Sequence, residues 1–253
     1  MITLYDFDTR CPGRSISRYT WRVRLALNIK GIEHQTHWLE FADIQKTLKE
    51  AGVPPSDVAS DGTPRYTIPA IYDPSTGAKV ADSLKIIRYL NETYPDTPVL
   101  EYPLTAPDSV ALSNEFEATL QKPLRFLWAL IAPAIIAGQS GESSAKFRAS
   151  YRAAVKQAPE ELLQDEERVK DLWARVEEGF SSPDTWIQGR ASGGGAWVTG
   201  PRPTLFDVLL GGGLGWIVGV TGEESDEWKK IKGWNGGRWE VFWDQLKPYV
   251  KVH

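Results

Sequence analysis

Strand signals almost disappear from this chain after roughly its first hundred residues. Up to residue 95, short β-branched and aromatic runs alternate with segments of helical periodicity, whereas beyond Pro107 nearly every periodic segment is helical. The segment between them, residues 96–107, contains three prolines, which interrupt both helices and strands. The sequence therefore predicts two domains, an α/β domain of residues 1–95 and an all-helical domain of residues 108–253, with residues 96–107 as the linker.

The sequence of residues 1–95 predicts the order β-α-β-α-β-β-α, which is typical of a small mixed sheet with helices. Ser17 is placed as the N-cap of the first helix, and Gly31 as its C-terminal stop. Proline at position 69 interrupts the third strand. The predicted elements are Ile2 to Phe7, Ser17 to Lys30, His34 to Phe41, Ile44 to Ala51, Tyr66 to Tyr72, Lys79 to Ala81 and Leu84 to Thr93.

The second part predicts helices connected by loops. The segments SSPDTW and GRASGGGAW are predicted to be loops because they combine proline, glycine and serine. The predicted helices are Asp108 to Ala137, Ser144 to Gln157, Glu160 to Gly179, Thr204 to Val220 and a terminal one, Trp234 to Leu246.

Composition excludes several classes of protein. The net charge of −4, from 29 basic and 33 acidic side chains, argues against a nucleic-acid binder. A single cysteine, Cys11, excludes an internal disulfide and a multi-cysteine metal site. The longest apolar stretches, Leu124 to Ile136 and Leu205 to Val220, are shorter than the ~18 to 20 residues of a membrane-spanning helix. We therefore expect a soluble, cytoplasmic protein without a bound metal.

Four short motifs occur in a fixed order. They are Ser17-x-x-x-Trp21-Arg22-Val23-Arg24, Ile68-Pro69, Asp82-Ser83 and Thr204-x-x-Asp207. Together with the domain order, they resemble the cytosolic glutathione transferases. The resemblance implies a thioredoxin-like domain followed by a helical domain, glutathione as co-substrate, and a homodimer.

The Ser17 motif is similar to that of the serine-type zeta class and to that of bacterial β-etherases that cleave lignin aryl ethers. The strongest resemblance is to the fungal-specific etherase-related class, which is reported to bind plant polyphenols. The chain differs from smaller relatives in residues 42–63 and in the glycine-rich loop near Gly193 to Gly195. Both differences are expected to reshape the site for the second substrate.

Ser17 is the first candidate catalytic residue. A hydroxyl at a helix N-terminus can donate a hydrogen bond to a thiolate, and the free backbone N–H groups and the helix dipole add positive potential. The nucleophile would then arrive with glutathione, so that no protein cysteine is needed. Ser15, two residues upstream, is the alternative, and an ordinary N-cap is the structural interpretation of Ser17.

The resemblance also implies where glutathione binds. It implies a cis peptide bond at Ile68-Pro69, where the cysteinyl part docks against the free backbone groups of Ile68. Asp82 and Ser83 suit the γ-glutamyl end, because a helix N-terminus favours a carboxylate and Asp82 attracts the ammonium group. The glycine carboxylate is assigned to a basic side chain, for which Lys49, Lys46 and Arg65 are each a candidate.

Other features are interpreted structurally. Thr204 and Asp207 form a capping-box variant, and the cluster from Gly211 to Gly219 allows close helix packing. Cys11-Pro12 does not have the spacing of the serine motif. His34 and His37 lie three residues apart on a predicted strand and therefore on opposite faces, with no partner at metal-ligand spacing.

These observations predict a glutathione transferase acting on electrophilic or aromatic substrates, with etherase or peroxidase side activities and roles in detoxification or lignin degradation. The alternatives are a ligandin that binds polyphenols without turnover, and a regulatory relative without catalysis. The chain has eleven tryptophans, and aromatic side chains are suited to an acceptor site. The candidates for that site are Trp38, Phe41, Phe126 and Trp128.

Overall fold

The computed structural model describes residues 1–100, 109–190 and 197–253. The first domain is thioredoxin-like, with a mixed sheet and flanking helices. The predicted loop residues Gly193 to Gly195 and most of the predicted linker lie outside the described residues. The elements of the first domain are β1 (Ile2–Phe7), α1 (Arg18–Lys30), β2 (His34–Leu39), α2 (Ile44–Glu50), β3 (Asp57–Val58), β4 (Pro64–Arg65), β5 (Ala70–Asp73), β6 (Ala78–Ala81) and α3 (Ser83–Thr93).

The main sheet has the strand order β2-β1-β5-β6 within the described residues. β1 pairs in parallel with β2, while β5 is antiparallel to both β1 and β6. Tyr5 is opposite His37 on one side and Ala70 on the other. This topology places the end of β1 next to the start of β5.

The third predicted strand, Tyr66 to Tyr72, is wrong at its beginning. The sheet strand starts at Ala70, and Pro64–Arg65 pairs instead with Asp57–Val58 in a separate ribbon. Pro69 explains the late start, because proline has no N–H to donate to a ladder.

The second domain is all-helical, so the predicted fold class is confirmed. Its helices are α4 (Ser109–Ala137), α5 (Gly141–Val155), α6 (Pro159–Gln164), α7 (Glu166–Gln188), α8 (Leu205–Thr221) and α9 (Asp226–Leu246). Short 3₁₀ helices are found at Phe41–Asp43 and Lys247–Tyr249.

Three helix predictions need correction. The segment Glu160 to Gly179 contains two helices, because Asp165 ends α6 and caps α7 by accepting a hydrogen bond from the Arg168 N–H. The predicted loop SSPDTW is helical, with Pro183 inside α7. α9 begins earlier than Trp234 and is kinked there, with Asn235, Gly236 and Gly237 at positive φ.

α4 also corrects the expectation about apolar length. Neither Arg125 nor Pro133 interrupts the helix, and Ala111–Ala137 is long and apolar enough to span a membrane by length and composition. Of its most apolar window, 56% is buried inside the protein. α4 packs against α7 and α8, as expected of the central helix of a helical domain.

The two domains meet where α1 packs closely on α8. The Trp21 ring lies against α8, and a Cβ atom at Gly215 would be 2.9 Å from it. A Cβ atom at Gly219 would be 2.7 Å from the Ser15 carbonyl oxygen. The interpretation of the Gly211 to Gly219 cluster as close helix packing is therefore confirmed.

Candidate functional site

A cavity of about 420 Å³ lies between the two domains. The first domain contributes the end of β1, the start of α1 and the residue before Pro69, and the helical domain contributes side chains of α4, α5 and α8. The lining residues are Phe7, Ile16, Ser17, Arg18, Tyr19, Ile68, Gln121, Leu124, Arg125, Trp128, Ile135, Phe147 and Trp216.

Ser17 lines this cavity at the N-terminus of α1. Its backbone is extended, with φ −112° and ψ 119°, and its Oγ accepts a hydrogen bond from the Thr20 N–H at 3.2 Å. The hydroxyl proton is not used in that bond. Ser17 can therefore cap the helix and donate to an anion in the cavity at the same time.

Ser15 occupies a different environment. It is fully buried and does not line the cavity. Its hydroxyl lies next to the Asp6 carboxylate and favours the charged form of that group, although it makes no hydrogen bond of ordinary geometry within the described part of the chain. Its carbonyl oxygen accepts a hydrogen bond from the Trp21 indole at 3.2 Å.

A buried ion pair supports the segment that contains Ser15 and Ser17. Arg24 Nη2 donates to Asp6 Oδ2 at 2.8 Å, and both side chains are fully buried. Arg24 also donates to the Thr36 hydroxyl, and the Phe7 N–H donates to Asp6. Burial raises the pKa of Asp6, while the Arg24 guanidinium acts in the opposite direction. The pair joins α1 to β1 and β2 directly beneath the site.

The Ile68–Pro69 peptide bond is cis, as the resemblance implies. Ile68 is buried and lines the cavity. Among the described residues, nothing forms a hydrogen bond with its backbone N–H or C=O. These groups are available to a peptide-like ligand placed alongside.

Asp82 and Ser83 begin α3. Asp82 has a φ of 81° and caps the helix, with Oδ1 accepting from the N–H groups of Leu84 and Lys85 at 3.0 and 3.1 Å. Positive φ at a residue other than glycine costs free energy and is found often at binding sites. Within the described part of the chain, the Ser83 hydroxyl makes no hydrogen bond and is open to a ligand.

Lys46, Lys49 and Arg65, the three candidate basic side chains, are exposed. Lys49 is in the last turn of α2, with its Nζ 5.8 Å from the centre of the Tyr66 ring. Tyr66 immediately follows Arg65 and precedes Ile68 by two residues, whereas Lys46 is one turn earlier in α2. Lys49 is thus close to Tyr66, which precedes Ile68 by two residues in the chain.

Comparison with known proteins agrees with this geometry. Residues 16–93 match the family model for the N-terminal domain of glutathione S-transferase, and residues 111–249 match the model for its C-terminal domain. The chain belongs to the glutathione S-transferase family.

The most similar structures and proteins include fungal members of the family. A glutathione S-transferase of Ceriporiopsis subvermispora, crystallised with glutathione, is 31% identical, with a TM-score of 0.89 over 100% of this chain and 98% of that one. Glutathione transferase GSTFuA3 from Phanerochaete chrysosporium is 30% identical, with a TM-score of 0.88 and the same coverage. The glutathione S-transferase-like protein ustS of Aspergillus flavus is 25% identical over 94% of this chain and 87% of that protein.

The four residues predicted for the acceptor site differ in their position relative to the cavity. Trp128 lines the cavity. Phe41 lies behind the wall, with its ring centre 5.9 Å from that of Phe7 and 5.2 Å from that of Phe147. Phe126 and Trp38 do not line the cavity. The guanidinium groups of Arg125 and Arg175 lie over the Phe126 ring, and that of Arg14 lies over the Trp38 ring.

The sequence alone did not predict most of the helical side of the cavity. Gln121, Leu124, Arg125 and Trp128 are spaced three or four residues apart and form one stripe of α4. That stripe was visible in the sequence. Its direction toward Ser17 was not, because it depends on how α4 docks on the first domain.

A polar network joins α1 to this stripe. Glu117 Oε2 accepts from Arg22 at 2.5 Å, and Glu117 Oε1 accepts from the Gln121 amide at 2.9 Å and lies 3.8 Å from Arg18 Nη2. Burial lowers the pKa of the Arg22 guanidinium. The network fixes the start of α1, and with it Ser17, against the helical domain.

The remaining chemical candidates, Cys11, His34 and His37, do not line the cavity. Cys11 is buried, and its burial raises the pKa of the thiol. His34 is buried while His37 is exposed, as expected for opposite strand faces. Over the described ranges, there is no group of three or more histidine, cysteine or acidic residues placed to hold a metal ion.

Proposed function

We propose that this protein ionises bound glutathione with the help of the Ser17 hydroxyl and transfers it to electrophilic or aromatic substrates. The observation that carries the proposal is the difference between the two serines. Ser17 lies at the cavity wall with a free hydroxyl proton, whereas Ser15 is fully buried behind it. Ser15 thus becomes a residue that supports the loop.

The energies are sufficient for this role. A hydrogen bond from Ser17 to a thiolate is worth about 1.5 to 3 kcal/mol, and the α1 dipole adds about 0.3 to 2 kcal/mol. Each 1.36 kcal/mol corresponds to one pKa unit. The middle of this range lowers the pKa of a thiol from about 8.5 to below neutrality.

The rest of glutathione follows the edge of the first domain in this proposal. The backbone of Ile68 pairs with the cysteinyl residue, and Ser83 with the start of α3 receives the γ-glutamyl carboxylate. One oxygen of Asp82 is used for capping, and its second oxygen is available to the ammonium group. Lys49 then receives the glycine carboxylate.

The transferred sulfur attacks the substrate carbon that bears the leaving group. A C–S bond forms and the bond to the leaving group breaks, so that halide or aryl oxide departs with the electron pair. Lignin-derived aryl ethers fit this chemistry, and the similarity to fungal transferases favours the etherase-related class. We also propose a cytoplasmic protein, as composition predicts, and a homodimer, on the resemblance alone.

Storage of aromatic molecules without turnover is a second candidate function. It is favoured by the apolar walls of the cavity, where Phe7, Trp128, Phe147 and Trp216 surround a space large enough for one or two rings. A ligandin would bind polyphenols tightly and give a negligible rate of conjugation with glutathione.

Replacement of Ser17 tests the proposal. In Ser17→Ala we expect kcat to fall by roughly 10- to 150-fold near neutral pH, because the lost hydrogen bond is worth about 1.5 to 3 kcal/mol. The pKa of bound glutathione, followed by the ultraviolet absorbance of the thiolate, should rise. Ser15→Ala is the matched control and should leave that pKa unchanged. A raised thiol pKa in Ser15→Ala with none in Ser17→Ala would reverse the assignment.

A further inference from the structure

The charged side chains that line the cavity are all basic. Arg18 and Arg125 line the cavity, and no aspartate or glutamate is among the described lining residues. The remaining wall is largely apolar. It has five aromatic side chains, which are Phe7, Tyr19, Trp128, Phe147 and Trp216, and four aliphatic ones, which are Ile16, Ile68, Leu124 and Ile135. A cavity with this pattern favours a ring that carries a negative charge.

Arg18 has unused hydrogen-bonding capacity. Its Nη2 donates to the Tyr19 hydroxyl and lies 3.8 Å from Glu117, which is too long for a direct hydrogen bond. Its Nη1 is buried and has no partner among the described residues. Because a buried unsatisfied donor costs free energy, a ligand that draws this guanidinium into a hydrogen bond is favoured.

Arg125 is at the exposed mouth of the same cavity. Its guanidinium lies over the Phe126 ring, 5.2 Å from the ring centre. In the part of the chain that the structure describes, it has no carboxylate within salt-bridge distance. Arg175 lies over the same ring at 5.6 Å, but it does not line the cavity and is paired with Asp171.

We infer that the acceptor site selects aromatic electrophiles that carry a carboxylate, with Arg18 and Arg125 as positioning residues and Trp128, Phe147, Phe7 and Trp216 around the ring. The inference rests on the proposed function, because it names the substrate class of that site. In this inference Ser17 contacts glutathione, and Arg18 and Arg125 contact the acceptor.

A matched pair of acceptors tests the inference. In 4-chloro-3-nitrobenzoate and 4-chloro-3-nitrobenzamide, the glutathione thiolate attacks the carbon that bears chlorine, a C–S bond forms, and chloride leaves with the electron pair. We expect the ratio of kcat/KM for the benzoate to that for the benzamide to exceed one after division by the ratio of their uncatalysed rates. This corrected ratio should fall as salt is added.

Variants locate the effect. Arg18→Gln should lower the corrected ratio by about tenfold, since the partly buried guanidinium makes a charge-assisted hydrogen bond, and Arg125→Gln by about threefold, since it is exposed. Arg175→Gln is the matched control and should leave the ratio unchanged. Because Arg125 is exposed, its variant keeps the inference testable even where Arg18→Gln fails to fold.

Three results would overturn the inference. They are a corrected ratio near one in the unmodified protein, equal ratios in all three variants, and an increase in the pKa of bound glutathione in Arg18→Gln, which would assign Arg18 to glutathione. Absence of glutathione-dependent turnover with either acceptor would instead contradict the proposed function. In that case quenching of tryptophan fluorescence by the benzoate and the benzamide still measures the selectivity.

Discussion

The two walls of the cavity are built in different ways. On the first-domain side, the groups that face the cavity are fixed by backbone geometry, with Ser17 at a helix start and Ile68 before a cis proline. On the helical side, the wall is a stripe of side chains on α4, completed by Phe147 and Trp216. Backbone positions tolerate few substitutions, whereas a side-chain stripe can be changed residue by residue.

This difference separates chemistry from specificity. The first-domain wall offers hydrogen-bond donors and a helix N-terminus, which suit a constant ligand such as glutathione. The helical wall offers shape and apolar area, which suit variable acceptors. Mutations of residues that support the first-domain wall should therefore affect folding and turnover together. Mutations in the helical wall should mainly affect the choice of acceptor.

The largest loss of stability is expected from breaking the Asp6–Arg24 pair, which supports the first-domain wall. Arg24→Met leaves Asp6 buried without its counter-charge, and loss of one partner of a buried pair costs about 3 to 5 kcal/mol of unfolding free energy. Urea unfolding measures this cost. Turnover per folded molecule should also fall, because the loop that holds Ser15 and Ser17 rests on Asp6.

Two controls accompany this prediction. The double variant Asp6→Val/Arg24→Met should be less destabilised than Arg24→Met, since no unpaired charge remains. Arg175→Met removes an exposed pair with Asp171 and should cost no more than about 0.5 kcal/mol. If Arg24→Met were as stable as Arg175→Met, the buried pair would not support the first wall.

A smaller loss of stability is expected from replacing Asp207, which lies in the helical domain but does not line the cavity. This fully buried carboxylate accepts hydrogen bonds from the Val198 N–H, the Thr204 N–H and the Thr204 hydroxyl at 2.7 to 2.9 Å. Asp207→Ala leaves these donors without an acceptor and should cost about 2 to 4 kcal/mol. In contrast to Arg24→Met, turnover per folded molecule should be retained.

The cost of Asp207→Ala should also depend on pH. Burial raises the pKa of Asp207 from 3.8 to about 6. Between these values the unfolded chain releases the proton that the folded protein retains, so the stability contributed by Asp207 is greatest below about pH 4 and is lost as pH rises through about 6. Urea unfolding of both proteins at several pH values should therefore give a larger difference near pH 4 than near pH 7. An equal difference at all pH values would show that folding does not raise the pKa of Asp207.

The contrast between the walls also explains what the sequence could predict. Ser17 and Gly31 were recognisable as the ends of α1 because capping uses groups within a few residues of each other. The glycines of α8 were recognisable because their number within one helix has few explanations other than close packing. The cis bond at Ile68–Pro69 came from the resemblance to a family, since proline alone seldom adopts it.

The errors are found where tertiary contacts decide. The sequence predicts a loop at Pro183, but this proline lies within α7, and Gly179, one turn earlier, packs on Pro123 of α4. Trp38 and Phe126, which are predicted for the acceptor site, do not line the cavity and stay predictions, whereas the lining residues Arg125 and Gln121 were missed. Which face of α4 meets the first domain is determined by packing between domains, and no local pattern encodes it.

The smallest effect is expected from single aromatic residues of the helical wall. Trp128 lines the cavity and also packs against Tyr151, with ring centres 5.3 Å apart. In Trp128→Ala the affinity for an aromatic acceptor should fall by about two- to twelvefold, which corresponds to about 0.5 to 1.5 kcal/mol of aromatic contact. Glutathione affinity should not change, because its proposed contacts are on the other wall.

Trp38→Ala is the matched control, since Trp38 is half-buried like Trp128 but lies beneath Arg14 and outside the cavity. Isothermal titration with 4-chloro-3-nitrobenzamide in the absence of glutathione compares the two variants without turnover. A loss of acceptor affinity in Trp38→Ala that equals the loss in Trp128→Ala would mean that the acceptor contacts the first domain as well, and the division between a wall for chemistry and a wall for specificity would fail.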